Sequence, residues 1–410
     1  MLRTRSLILL FSLFAARITA QVSFQKTYGD VRFDDAQAVV RTADGGYCLA
    51  GNTGEALPDS GDIVLYRLNA DGDLLWSVKL GGPKDDFVSD LLLTPDGGYL
   101  LTGITYGSPG DTAYSDLFAA QLDDVGMVRW ARAYGGADYD EAAAVCSDGN
   151  GGYILAGNTS SFGSALRSAC ILRIDSLGHP VDGSVVATTL SNFYLDIEAL
   201  PPASGGGFVA AGGTFNLSGG TNFDHYITLF DANASVRMIR RYGSASADWT
   251  YSIKPDAQSG FVACGVSTGY GAGGVDQAVY RIDNAGLLTW SRHFGSAESD
   301  RATDLFTDSA TGNTFVCGMT NIGDSLQPIQ QATMIALDAS GHRLFDYRYG
   351  DLNASSEAYR ILAGNDGFTL CGYTVGFSDS LGDAYLIKTD QSGSSGCFES
   401  PVNFSQNTAL

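Results

Sequence analysis

The chain has 410 residues, 24 basic against 45 acidic, with a formal net charge of −21. So acidic a surface repels phosphate backbones and anionic membranes, which argues against a nucleic-acid partner and favours cations. Fifty-two glycines, 21 phenylalanines, 20 tyrosines and only 17% charged residues argue against a helical bundle and fit turn-rich β structure.

Arg3 and Arg5 precede an apolar run from Leu7 to Phe14, and Ile18-Thr19-Ala20 offers a small residue for cleavage. Residues 1–20 read as a secretory signal, too short in its apolar run to cross a membrane. No later apolar run reaches that length. The expected mature chain is therefore secreted or held at the cell surface, with no membrane span. Loss of Arg3, Arg5 and Arg17 leaves it 21 basic against 45 acidic residues, a net charge of −24.

The rest is organised by one stretch, Asp96-Gly97-Gly98-Tyr99-Leu100-Leu101-Thr102-Gly103-Ile104-Thr105. Its closing Gly-x-Thr/Ser recurs at Gly51, Gly103, Gly157, Gly212, Gly265, Gly318 and Gly372, at intervals of 52, 54, 55, 53, 53 and 54 residues. In the second copy, Asp86–Thr94 predicts one strand, Asp96-Gly97-Gly98 a tight turn and Tyr99–Thr105 the returning strand. A variable loop leads to a third strand at Asp116–Leu122, the turn Asp123-Asp124-Val125-Gly126 and a fourth strand at Val128–Tyr134. Four short antiparallel strands with regular turns make one blade of a β-propeller, and seven copies make seven blades.

Phe24–Tyr28 matches a fourth strand but precedes any first strand, while the last copy, Ser356–Asp390, lacks a fourth. The N-terminal strand is thus expected to complete the last blade and remove the open sheet edges. Residues 21–393 form the propeller and 394–410 a polar tail, in a monomer. Cys264, Cys317 and Cys371 precede the repeat glycine where other copies have Ala or Thr, so these thiols are expected to be free, buried and chosen for small volume.

The pattern Tyr/Phe-Gly-Gly, then Asp-Gly-Gly-Tyr-x-x-x-Gly-x-Thr, then Leu-Asp-x-x-Gly-x-x-x-Trp resembles the blade repeats of secreted bacterial β-propellers, found especially in Bacteroidetes-type bacteria. The resemblance covers essentially the whole mature chain. It implies the fold and an exported location, and no reaction.

Several motifs invite chemistry. Gly265-Val266-Ser267-Thr268-Gly269 matches a nucleophile elbow, but it is the fifth copy of the repeat and no helix follows it. Gly269-Tyr270-Gly271-Ala272-Gly273-Gly274 matches a dinucleotide fingerprint without a βαβ unit. His179, His225, His293 and His342 show no metal-ligand spacing. Asp35, Asp86, Asp140, Asp196, Asp248 and Asp300 stand near the starts of first strands, where they either cap turns or ring a channel mouth as ligands for a hard cation such as calcium. Of these, Asp86, Asp140, Asp248 and Asp300 are the candidate metal ligands, and no other cofactor is implied. The variable loops of the same face carry Tyr106, Tyr114, Tyr270 and Phe377, with Trp249 beside Asp248. Aromatics on a rigid scaffold suit an extracellular glycan, peptide or protein ligand. A non-catalytic binding or scaffolding module is the leading expectation. The alternatives are a glycan-acting enzyme using the mouth carboxylates and a purely structural surface repeat.

Overall fold

The computed structural model of the protein describes residues 22–408 apart from 55–60, 108–113, 164–165, 202–205, 216–222, 323–327, 378–380 and 403. The leader falls outside the described residues. Seven antiparallel sheets follow one another along the chain, with no helix among the described residues. Their first strands are neighbours in cyclic order and enclose a central channel. Blade 2 is Asp86–Leu93, Tyr99–Tyr106, Ser115–Leu122 and Val128–Tyr134. In blade 1 the first strand is split into Phe33–Asp34 and Ala38–Arg41. Blade 7 has three strands of its own and takes Phe24–Tyr28 as the fourth, with Phe24 opposite Lys388 and Tyr28 opposite Ala384.

The landmarks of the repeat each have a physical task. The aspartate or asparagine ending every third strand accepts backbone N–H groups two and four residues on; Asp123 Oδ1, for example, takes those of Val125 (3.1 Å) and Met127 (2.8 Å). The tyrosine closing a fourth strand reaches the next blade. Tyr28, Tyr134, Tyr242 and Tyr349 donate their hydroxyls to the carbonyls of Gly72, Gly178, Gly286 and Gly393 at 2.6–2.8 Å. Trp76, Trp130 and Trp290 lie on the turn glycines Gly126, Gly178 and Gly341 of the following blade, where any Cβ would meet the indole ring. Two signals read within one blade are therefore the two halves of a joint between blades.

Inner strands are buried on both faces, as in Ser115–Leu122, whereas outer strands alternate, as in Val128–Tyr134. A blade alone would leave its second and third strands bare, so the blades are stable only as a stack. Cys264, Cys317 and Cys371 are free and buried in it, and Cys397 is free and exposed.

The tail does more than a polar appendage would. Glu399–Pro401 pairs with the outer strand of blade 6 (Arg343–Tyr349), and Ser405–Asn407 pairs with that of blade 5 (Leu288–Gly295). Between them Phe404 is 4% exposed in the core joining those blades.

Candidate functional site

Strand register assigns each channel position. In six blades the first strand skips one residue against the second, a β-bulge that falls at Ser89, Ala143, Leu195, Tyr251, Thr303 and Tyr359. The repeat glycine makes room for it. A Cβ on any of the seven would lie 1.8–2.1 Å from a first-strand carbonyl oxygen, that of Phe87 for Gly103 and of Trp249 for Gly265. The bulged residues line the upper channel together with Gln37, Arg301 and Glu357, around about 350 Å³. The next residue in four of these blades, Asp90, Asp196, Asp304 and Arg360, lines a lower cavity of about 530 Å³.

Four of the six first-strand carboxylates share one register position. The equivalents of Asp86, Asp140, Asp248 and Asp300, each opposite the Thr/Ser of a Gly-x-Thr/Ser, are Asp34, Asn192 and Ser356. Asp35 and Asp196 are therefore out of phase, and Asp196 sits lower in the channel. The true members cap the blade crossing. Gly82, Gly136, Ser244 and Ser296 donate their N–H groups to Asp86, Asp140, Asp248 and Asp300 at 2.6–2.8 Å. At the crossing a second carboxylate, from the third strand, approaches the first. A Cβ on Gly295 would lie 1.8 Å from Asp276 Oδ1 and 3.0 Å from Asp300 Oδ2, and a Cβ on Gly135 equally meets Asp116 and Asp140. The glycine-rich loop after Gly269 folds over Asp276, with Ala272 N–H on its Oδ1 at 3.1 Å, so the fingerprint cradles a carboxylate of its own chain. Among the described residues no group of three or more His, Cys, Asp or Glu side chains is placed to hold a metal ion.

Burial, with Asp276 adding to it, pushes Asp300 up to about 6. The fold thus favours its protonated form; that contribution is complete below about pH 4 and is lost as pH rises through about 6. Asp300→Asn would keep an acceptor for Ser296 and offer an N–H₂ to Asp276. It is expected to stabilise the protein at pH 8 by roughly 1–3 kcal/mol and to change little at pH 4. Denaturant titration at both values checks this; equal destabilisation at both would show that the pair carries no charge strain.

Below the mouth, ion pairs and hydrogen bonds tie the blades into a waist. Asp90, Asp196 and Asp304 accept the N–H groups of Val145, Ile253 and Ile361 in the following blade at 2.8–3.0 Å. Ser252 Oγ bridges Asp196 (2.9 Å) and Asp304 (2.7 Å), Lys254 lies 3.2 Å from Asp196, and Arg360 lies 3.5 Å from Asp90. Burial raises Asp90, and the surrounding carboxylates hold Lys254 and Arg360 firmly charged against their own desolvation.

The loop aromatics do not converge. Tyr106 lines a groove between blades 1 and 2, Tyr114 meets Tyr139 edge-on at 4.9 Å, and Phe377 packs on Phe398 at 4.9 Å. Trp249 alone of the five joins a larger array. Ring centroids run from Phe215 to Phe223 (4.7 Å), Trp249 (5.8 Å) and Tyr251 (6.2 Å), each half-buried, and Arg301 lies over Tyr251 at 5.8 Å. Arg301 Nε donates to Glu357 at 3.0 Å. The strip thus leads from the outer part of blade 4 to the channel wall.

Two histidines that sequence spacing kept apart are brought together. His225 and His293, from adjacent blades, line a cavity of about 90 Å³ with Tyr242, Asp248, Tyr270, Tyr280 and Ser291. His225 Nδ1 is 3.0 Å from Thr250 Oγ1, which is 2.6 Å from the Tyr280 hydroxyl. Burial lowers both imidazoles to about 4, so both are neutral at pH 7. The Nδ1 of His293 is buried without a hydrogen-bond partner. Only the blade-to-blade register, invisible in one-dimensional spacing, reveals this set.

No protein-family model matches the chain, and no curated protein matches it. Solved structures do. The ulvan lyase of polysaccharide lyase family PL25 is 13% identical with a TM-score of 0.55, over 88% of this chain and 96% of that one. The Neurospora crassa Pan2 WD40 domain is 10% identical with a TM-score of 0.52, over 88% and 98%. A Dyadobacter fermentans protein of unknown function is 11% identical with a TM-score of 0.45, over 79% and 96%. The chain is a seven-bladed β-propeller. At such identities the likeness is one of fold, and the propeller's own surfaces must supply any statement of what it does.

Proposed function

We propose that this propeller is an exported binding module, of the secreted bacterial kind its repeats resemble, that lays an uncharged glycan chain across its top face. The observation that supports the reading is the aromatic strip Phe215–Phe223–Trp249–Tyr251, which ends at the Arg301–Glu357 pair on the channel wall. Half-buried rings on rigid strands offer flat apolar faces at no ordering cost, and the polar pair at the end fixes register. The net charge of −21 disfavours polyanionic chains. The mouth carboxylates cap the crossings, and Asp140, Asp248 and Asp300 are at most 1% exposed.

A glycan array on the mature protein, with and without calcium, followed by calorimetry, tests the reading. Trp249→Ala is expected to weaken binding at least ~10-fold, about 1.4 kcal/mol, with the melting temperature preserved. Array silence in both conditions, or undiminished binding by the variant, would retire it. A melting temperature that calcium leaves unchanged would also remove any structural role for that ion.

One observation favours the enzymatic alternative, namely the neutral His225 and His293 around a small cavity with Tyr280. A neutral imidazole has a free lone pair to accept a proton, but burial that lowers both to about 4 makes them weak bases at pH 7. Incubating the array-positive glycan with protein and finding no chain shortening by mass spectrometry would dismiss this alternative.

A further inference from the structure

The tail reveals how the outer rim of this propeller accepts an added strand. Phe404 enters the groove between blades 5 and 6, its N–H donating to Asp346 Oδ2 (3.2 Å) and its carbonyl accepting from Arg343 Nη1 (2.6 Å). On either side of it the chain pairs with the two outer strands, Tyr349 opposite Glu399 on blade 6 and Gly295 opposite Ser405 on blade 5. In the repeat register Arg343 lies opposite Leu337 and Asp346 opposite Ile335. Their counterparts in blade 2 are Val128, opposite Leu122, and Ala131, opposite Ala120.

Val128, Ala131 and Ala120 line a groove of about 410 Å³ between blades 1 and 2, with Ile63, Leu80 and Phe118. Among the described residues the place that Phe404 fills between blades 5 and 6 is open here, with Val128 and Ala131 where blade 6 has Arg343 and Asp346. The outer strands flanking it, Leu74–Leu80 and Val128–Tyr134, are the last strands of their sheets among the described residues. Leu74, Leu75 and Val128 are 52%, 55% and 47% exposed. An edge strand beside an apolar groove is a template for strand addition. Of the basic residues on these strands, Lys79 pairs with Asp62 (3.3 Å) and Arg129 with Asp96, while Arg132 lines the groove itself, and neither strand carries a carboxylate. The tail segment Cys397–Asn407, which occupies the equivalent place, has Glu399 and no basic residue.

We propose that the groove between blades 1 and 2 takes an extended, neutral or acidic peptide segment of a partner protein, which pairs with the edge of Val128–Tyr134 and seats one bulky apolar side chain over Ala131 and Ala120. The site is separate from the aromatic strip, so Trp249→Ala leaves it intact. A displayed random-peptide library selected on the full chain supplies the probe. The expected result is enrichment of β-forming peptides poor in Lys and Arg with a single Phe, Trp or Leu, whose affinity falls at least ~10-fold on Ala131→Trp. Val128→Glu, at an exposed site where the fold tolerates a charge, is expected to weaken the acidic peptides similarly and guards against misfolding of the first variant. No enrichment, enrichment of basic peptides, or binding that both variants leave unchanged would overturn the proposal.

Discussion

Arg360→Ala is expected to cost about 3–5 kcal/mol of stability, the usual loss when one partner of a buried ionic network is removed. Arg360 sits within the waist, its guanidinium 3.5 Å from Asp90 and held charged by Asp90, Asp304 and Asp196. Those carboxylates cannot turn to solvent, because each also holds a backbone N–H of the following blade. Without the guanidinium, Asp90 must take up a proton or stay charged in a site that already raises its pKa. Adding Asp90→Asn should recover part of the loss, since the pair is coupled. Urea unfolding of both variants tests this; a loss under ~1 kcal/mol for Arg360→Ala would mean that the waist charges are individually solvated.

Removing residues 22–28 is expected to do more damage still. The missing strand takes with it Phe24 and Tyr28, 9% and 8% exposed, and five residues of ladder along Asp383–Lys388. Two aromatics of ~150–250 Å² represent roughly 8–12 kcal/mol of gross transfer energy, an upper bound comparable to the whole stability of a domain. Leu386 and Ala384, now buried, would be left on an open edge beside blade 1. The expected outcome is loss of the cooperative melting transition. A shortened chain that still melts cooperatively within a few degrees of the full one would show that closure rests on the remaining blade contacts.

The number of blades, the strand order and the closure were all legible in the residues, because each rests on a repeated local cause. Asp123 must open its turn, Gly103 must make room for a carbonyl, and Tyr134 must precede Gly135 to reach the next blade. The channel was not legible. The bulge at Ser89 and its counterparts breaks the two-residue alternation from which faces are counted, and so in four blades two successive residues, such as Ser89 and Asp90, join the channel wall. Asp196, read from the residues as a mouth residue, follows the bulge at Leu195, while Asn192 holds the mouth position. His225 and His293 meet for the same kind of reason, since adjacent blades align positions that linear spacing does not relate. The tail did carry a signal, the apolar residues Phe398, Val402 and Phe404 among polar ones. Its weight is apparent only beside a groove of matching size.

The latch has a consequence in time. Phe24–Tyr28 leaves the ribosome long before its partner Asp383–Lys388. At ~5–20 residues per second, on the order of 20–70 s separate the two. Throughout that interval no ring can close, and each new blade waits on an incomplete neighbour. Contacts so distant in sequence also form slowly once both ends exist.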